Sequence, residues 1–165
     1  MTGLVVSDVA LGPADAAFHH AVVYLGRRMA AIRPLDVAAL PPDRAAAIAA
    51  IDAWAGDAAT NWRNELVRWY EAHSPVLLTP DPELNGLLRR AGRAGVRLVV
   101  ASPLPRAAAE LYLSHLGALR PVEAVCAEED GDALAAARSL LGDPRAPLVA
   151  SREDLAAVLA AAAPA

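Results

Sequence analysis

The residues most able to do chemistry stand where short apolar runs stop. "GLVVSDVALGP", residues 3–13, carries an apolar run into Asp8 and then into a glycine-proline turn. A carboxylate at a strand tip can attack as a nucleophile, move a proton or ligate a cation. "RLVVAS" ends at Ser102 and "APLVAS" at Ser151, with Glu153 and Asp154 just beyond. All 15 basic residues are arginine, which excludes every mechanism that needs a lysine. No Gly-x-Gly-x-x-Gly or Walker-type loop is present, so nucleotide binding has no positive support. His19 and His20 are adjacent, and neighbours on a helix point about 100° apart, a poor arrangement for one metal. His73 and His115 are isolated and read as ordinary histidines. Cys126 has no basic neighbour in sequence to lower its pKa and reads as an inert thiol. The acid run "AEED", residues 127–130, reads as a solvated loop.

Five runs bounded by turn residues read as the strands that would position these groups: Gly3–Val9, Pro75–Thr79, Arg97–Ser102, Pro121–Cys126 and Pro147–Ser151. "GLVVSDV", "RLVVAS" and "APLVAS" are almost unbroken apolar stretches, as in strands covered on both faces of a parallel sheet. Helical patterns separate the later runs. One starts at Asp81-Pro82 and ends at Gly95, the next two end at Gly117 and Gly142, and the last opens on Ser151 with Asp154 three residues on. This alternation predicts an α/β fold with a doubly wound parallel sheet, whose functional residues lie at the carboxyl ends of its strands. Residues 14–74 are helical in period throughout, broken at Pro34, Pro41 and Pro42, and hold most of the aromatic residues. They predict an all-helical insertion directly after the first strand.

A doubly wound core with a helical insertion behind an aspartate-bearing first strand resembles the haloacid dehalogenase-like (HAD) superfamily with a type 1 cap. The resemblance covers nearly the whole chain. It implies a core of residues 1–13 and 75–165 and a cap of residues 14–74. "PDPELNGLLRRAGRAGVRLVVASPLPRAAAELYLSHLGAL" is similar to the stretch that carries the family's second motif, which falls on Ser102. "GLVVSDVALGP" resembles the first motif and makes Asp8 the nucleophile. "APLVASREDLAAVLAAA" resembles the fourth, where acids hold magnesium, and implies Asp8 with Asp154 as the metal ligands. The departures matter as much. The second aspartate of the first motif, the general acid/base of phosphatases, falls on Ala10. The lysine of the third motif has no counterpart, and the matching region offers acids. Arg106, Arg152, Arg27 and Arg28 are the stand-ins for that lysine by position.

Three readings of Asp8 follow. The chain is a pseudoenzyme that binds a small molecule or a protein partner through a degenerate phosphatase site. Or it is an active hydrolase of nonstandard chemistry, dehalogenase-like or tailoring a small organic substrate, since a departing halide needs no proton and tolerates Ala10. Or the resemblance misleads, receiver domains being another fold with acids at strand ends. "NWRNELVRWYEAH" sets Trp62, Arg63, Arg68 and Trp69 on one helix, the residue types of binding hot spots. Arg27, Arg28, Trp62, Arg63 and Arg106 are therefore the candidate substrate contacts. The tryptophans of the insertion also suit a homodimer contact.

Bulk properties narrow the classes further. The chain has 165 residues, 56% of them hydrophobic and 21% charged, enough apolar content for a sizeable core. A net charge of -4 argues against nucleic acid as a partner. No apolar run approaches the ~20 residues of a membrane span. The N-terminus lacks a basic region ahead of its apolar stretch, which predicts a cytoplasmic protein.

Overall fold

The computed structural model describes residues 3–56 and 61–162. Four parallel strands form one sheet: β1 (Gly3–Ser7), β2 (Arg97–Ala101), β3 (Ala124–Cys126) and β4 (Leu148–Val149), in the order β3-β2-β1-β4. β1 pairs with β2 from Gly3↔Arg97 to Ser7↔Ala101, and with β4 through Val5↔Leu148 and Val6↔Val149. The order reverses at β1, so the switch point of the sheet lies between β1 and β4, at the end of the strand that leads into Asp8.

Three α-helices, α1 (Ala14–Met29), α2 (Arg44–Ala55) and α3 (Trp62–Leu77), follow β1, and α4 (Pro82–Arg93) leads into β2. The later helices are α5 (Arg106–His115), α6 (Ala133–Leu141) and α7 (Arg152–Ala162). Their ends follow local chemistry. Asp43, Asp81 and Asp132 accept hydrogen bonds from backbone N–H groups in the first turns of α2, α4 and α6. Ser151 Oγ accepts from the Asp154 N–H, the cap expected there, and donates to the Asp154 carboxylate. Gly142 closes α6 in the left-handed conformation.

Successive side chains of a strand face opposite sides, and the two faces of this sheet are unequal. Val5 and Val99 pack with Cys126, Ala137 and Leu141 under α6. Leu4, Val6, Leu98 and Val100 belong to a much larger core that includes Leu25, Ile51, Leu66, Tyr70, Leu88, Tyr112 and Leu155. The helices between β1 and β2 thus share one continuous apolar core with α4, α5 and α7.

Two strand expectations need correction. Pro75–Thr79 forms no strand; α3 runs through Pro75 to Leu77, the Ser74 hydroxyl donates to the Tyr70 carbonyl, and the Leu78 N–H closes on Ser74 O at 2.8 Å. The apolar run "VLL" misled because it follows a proline, which marks a break in most helices. "APLVAS" contributes only a two-residue edge strand with Leu148 exposed, and not a strand covered on both faces. No described helix is long and apolar enough to cross a membrane.

Candidate functional site

β1 ends at Ser7, and Asp8–Ala10 turns in a short 3-10 helix. The Asp8 carbonyl accepts from the Leu11 N–H at 3.1 Å and from the Tyr112 hydroxyl at 3.2 Å. These bonds fix the backbone, and the side chain lies in the interior at 1% exposure. Ser102 follows β2, held by its N–H on Cys126 O at 2.9 Å. Its hydroxyl donates to Asp8 Oδ2 at 2.6 Å and accepts from the Leu104 N–H at 3.3 Å. The structure therefore brings together the two residues singled out as catalytic.

It also adds a third group. Arg44, in the first turn of α2 and 7% exposed, grips Asp8 with both terminal nitrogens: Nη1 donates to Oδ2 at 2.8 Å and Nη2 to Oδ1 at 2.5 Å. Its Nε faces Asp15 Oδ1 at 2.8 Å. Such a two-pronged guanidinium–carboxylate pair is among the strongest charge-assisted contacts. Burial is the largest influence on Arg44 and disfavours its charge, but the hydrogen bonds and charges of Asp8, with the charge of Asp15, outweigh it and raise its pKa. Arg44 is a permanent cation here. The arginines expected beside Asp8 by position, Arg27, Arg28, Arg106 and Arg152, do not pair with it; Arg44 of α2 does.

Two phenols complete the surroundings. Tyr112 is pushed well above its ordinary pKa, first by burial and then by the Asp8 charge. Burial likewise raises Tyr70; Asp8 adds to the shift and Arg44 opposes it. The Tyr70 hydroxyl is enclosed without a hydrogen-bond partner. Ala10, where the resemblance expected an acid/base, is fully buried in the apolar core.

The residues do not fit a magnesium ion. Both Asp8 oxygens already take Arg44 donors, and Oδ2 takes Ser102 as well. Asp154 is exposed and engaged in capping α7. No cluster of three or more metal-ligating side chains exists among the described residues.

The candidate substrate contacts scatter. Arg28 pairs with Glu65 at 3.5 Å. Trp62 is buried and donates its indole N–H to Asp52 at 2.8 Å. Arg63 lies over the Trp62 ring, 4.3 Å from its centroid, and bridges Asp52 and Glu128. The hydrogen bonds to Glu128 and then to Asp52 raise the Arg63 pKa, and Arg63 in turn lowers that of Asp52. Arg106 binds the Val125 carbonyl and Asp130, and Glu129 accepts from its backbone N–H. The "AEED" loop is thus a partner to arginines and not a freely solvated run. Arg152 pairs with Asp81, and Arg27 lines a cleft between α1 and α3. Burial raises the Cys126 thiol pKa, as fits an inert side chain.

A cavity of about 370 Å³ opens beside Ser102 at the carboxyl ends of the strands, between Ala45 and Ile48 of α2 and the loop into α6. Glu128 and Asp132 are its charged lining. A second, of about 250 Å³, is lined by Arg44 together with Asp15, Phe18 and His19. Asp8 lines neither.

Sequence reasoning missed Arg44, Asp15 and the two tyrosines. One signal was available for Arg44: it is the sole charge in the first turn of the otherwise apolar "RAAAIAAI", at the helix end where a cation is disfavoured by the macrodipole. In comparisons with known proteins, no family model matches the chain and no curated protein resembles it significantly.

Proposed function

We propose that the chain is a HAD-like pseudoenzyme with a small helical cap, whose Asp8 is a structural carboxylate and whose strand-end cavity binds a small molecule or a protein partner. The observation that carries this reading is the buried, two-pronged pairing of Arg44 with Asp8, completed by Ser102. Attack on phosphorus needs a free, aligned carboxylate, cations to offset the phosphate charge, and an acid for the leaving oxygen. Here the carboxylate is engaged, and its cation is engaged with it. The position that would supply the acid, worth ~10²–10⁴-fold in rate, is an alanine. The charged groups lining the cavity are acids, the wrong sign for a phosphate ester.

The test is turnover. Wild-type protein with magnesium and a panel of phosphomonoesters is expected to release no more phosphate than Asp8→Asn. Magnesium-dependent hydrolysis that Asp8→Asn abolishes would overturn the reading.

One observation favours a second reading. Arg44 places a guanidinium against the carboxylate, the cationic role the absent lysine leaves open. A carbon-centred displacement, in which Asp8 forms an ester and an anionic halide leaves without a proton, needs such a cation and no acid at position 10. Halide release from a small 2-haloacid, with the ester detected on Asp8 by intact mass, would favour this enzyme over the binding protein.

A further inference from the structure

We propose a second ligand site, a cleft between α1 and α3 that takes a small aromatic anion. The cleft encloses about 360 Å³, within the ~300–1,000 Å³ of ordinary ligand pockets, and shares no lining residue with the cavity beside Ser102.

Its base is Trp69, 4% exposed. His20 and His73 stack nearly parallel to the Trp69 ring, at interplanar angles of 6° and 13°, and Tyr24 meets His73 with ring centroids 5.5 Å apart. Aromatic faces of this kind hold another planar ring. Val76 and Leu77 form an apolar rim, Val76 at 84% exposure.

The polar groups select the charge. No carboxylate lines the cleft, whereas Arg27, His20 and His73 do. Arg27 makes no ion pair among the described residues, although its neighbour Arg28 does. Trp54 and Trp62 donate their indole N–H groups to Pro34 O and Asp52, but that of Trp69 has no partner among the described residues. The Trp69 N–H is not among the enclosed atoms that lack a hydrogen bond, and Trp69 lines this cleft. His73 Nδ1 lies 3.3 Å from Trp69 O, a contact that uses its N–H and leaves Nε2 toward other partners. An aryl carboxylate matches this set: its ring against the aromatic and apolar lining, its charge on Arg27.

The experiment uses the ¹⁵N-labelled full chain, with the Trp69 indole N–H as reporter and two probes that share a ring, 2-naphthoate and 2-naphthylmethylamine. Naphthoate is expected to shift that signal saturably, and the amine to leave it in place. Arg27→Glu, at an exposed position, should weaken naphthoate about tenfold, and Arg27→Gln should act in the same direction. No saturable shift, an equal response to the amine, or binding undiminished in both Arg27 variants would overturn the site.

Discussion

Arg44→Met separates a structural Asp8 from a working one. The substitution keeps a long side chain of similar packing but removes both Nη donors to Asp8 and the Nε contact to Asp15. Asp15 is a largely exposed partner, so its share is small. Asp8 is different: at 1% exposure it keeps only the Ser102 hydroxyl as a side-chain donor. Removing one member of a buried ion pair costs about 3–5 kcal/mol, because the other charge is left without a partner. For a domain of this size each kcal/mol moves the melting temperature by ~2–4 °C, so a fall of roughly 6–20 °C is expected. The assay is urea and thermal unfolding followed by circular dichroism. Asp8→Leu combined with Arg44→Met should recover most of the loss, since replacing both partners by apolar groups is near neutral. If Arg44→Met alone changes stability by less than ~0.5 kcal/mol, the size expected of an unremarkable surface change, the pair is not the strut inferred here and Asp8 must be solvated in solution.

Further expectations are independent of that one. Ser102→Ala removes a donor from Asp8 and an acceptor from the Leu104 N–H, and should destabilise by about 1–3 kcal/mol in urea titrations; no loss would mean that water replaces the hydroxyl. Gly12→Ala would bring a methyl to 2.7 Å from Leu116 Cδ1 and 2.9 Å from the Tyr112 hydroxyl, so it should lower the melting temperature; an unchanged value would show that α5 gives way freely. Tyr70 and Tyr112 are raised above their ordinary value in the fold and return to it on unfolding, so stability is full below about pH 10 and falls as pH rises past it. Tyrosinate absorbance from these two should appear together with the loss of helical signal, and reversible ionisation of both in an intact fold would contradict this. Asp52 and Asp130 are lowered, Asp52 chiefly by its hydrogen bond from Arg63 and Asp130 by the Ala127 N–H; their contribution is present above about pH 4 and fades below it, weakly because both are accessible.

Much of the sheet was legible because its central strands are apolar on both faces. Gly3–Ser7 and Arg97–Ala101 stand where the runs placed them, with Asp8 and Ser102 just past their ends. Helix ends were legible where one residue decides them, as at Asp81 and Gly142. Pro75 was misread because a proline within a helix looks like a boundary when only sequence is seen, and α3 shows that packing overrides it. The site was half legible. Asp8 and Ser102 are 94 positions apart in sequence yet share a hydrogen bond; strand-end placement puts both at the sheet's carboxyl end, together with Ser151, and the resemblance singles out the pair. Arg44 was not found because its partner lies on another element, and a pairing across a helix and a strand leaves no spacing to read. Trp62 and Arg63 have the residue types of ligand contacts, but both hold Asp52, whose position on α2 the sequence does not locate relative to α3.

The burial of Ala10 bears on how this protein can change over generations. Its methyl group is fully enclosed among apolar neighbours, so an aspartate at that position would enter a space with no room for its hydration. An aspartate at position 10 alone is expected to destabilise the fold. An acid at this position would require the surrounding apolar side chains to repack first.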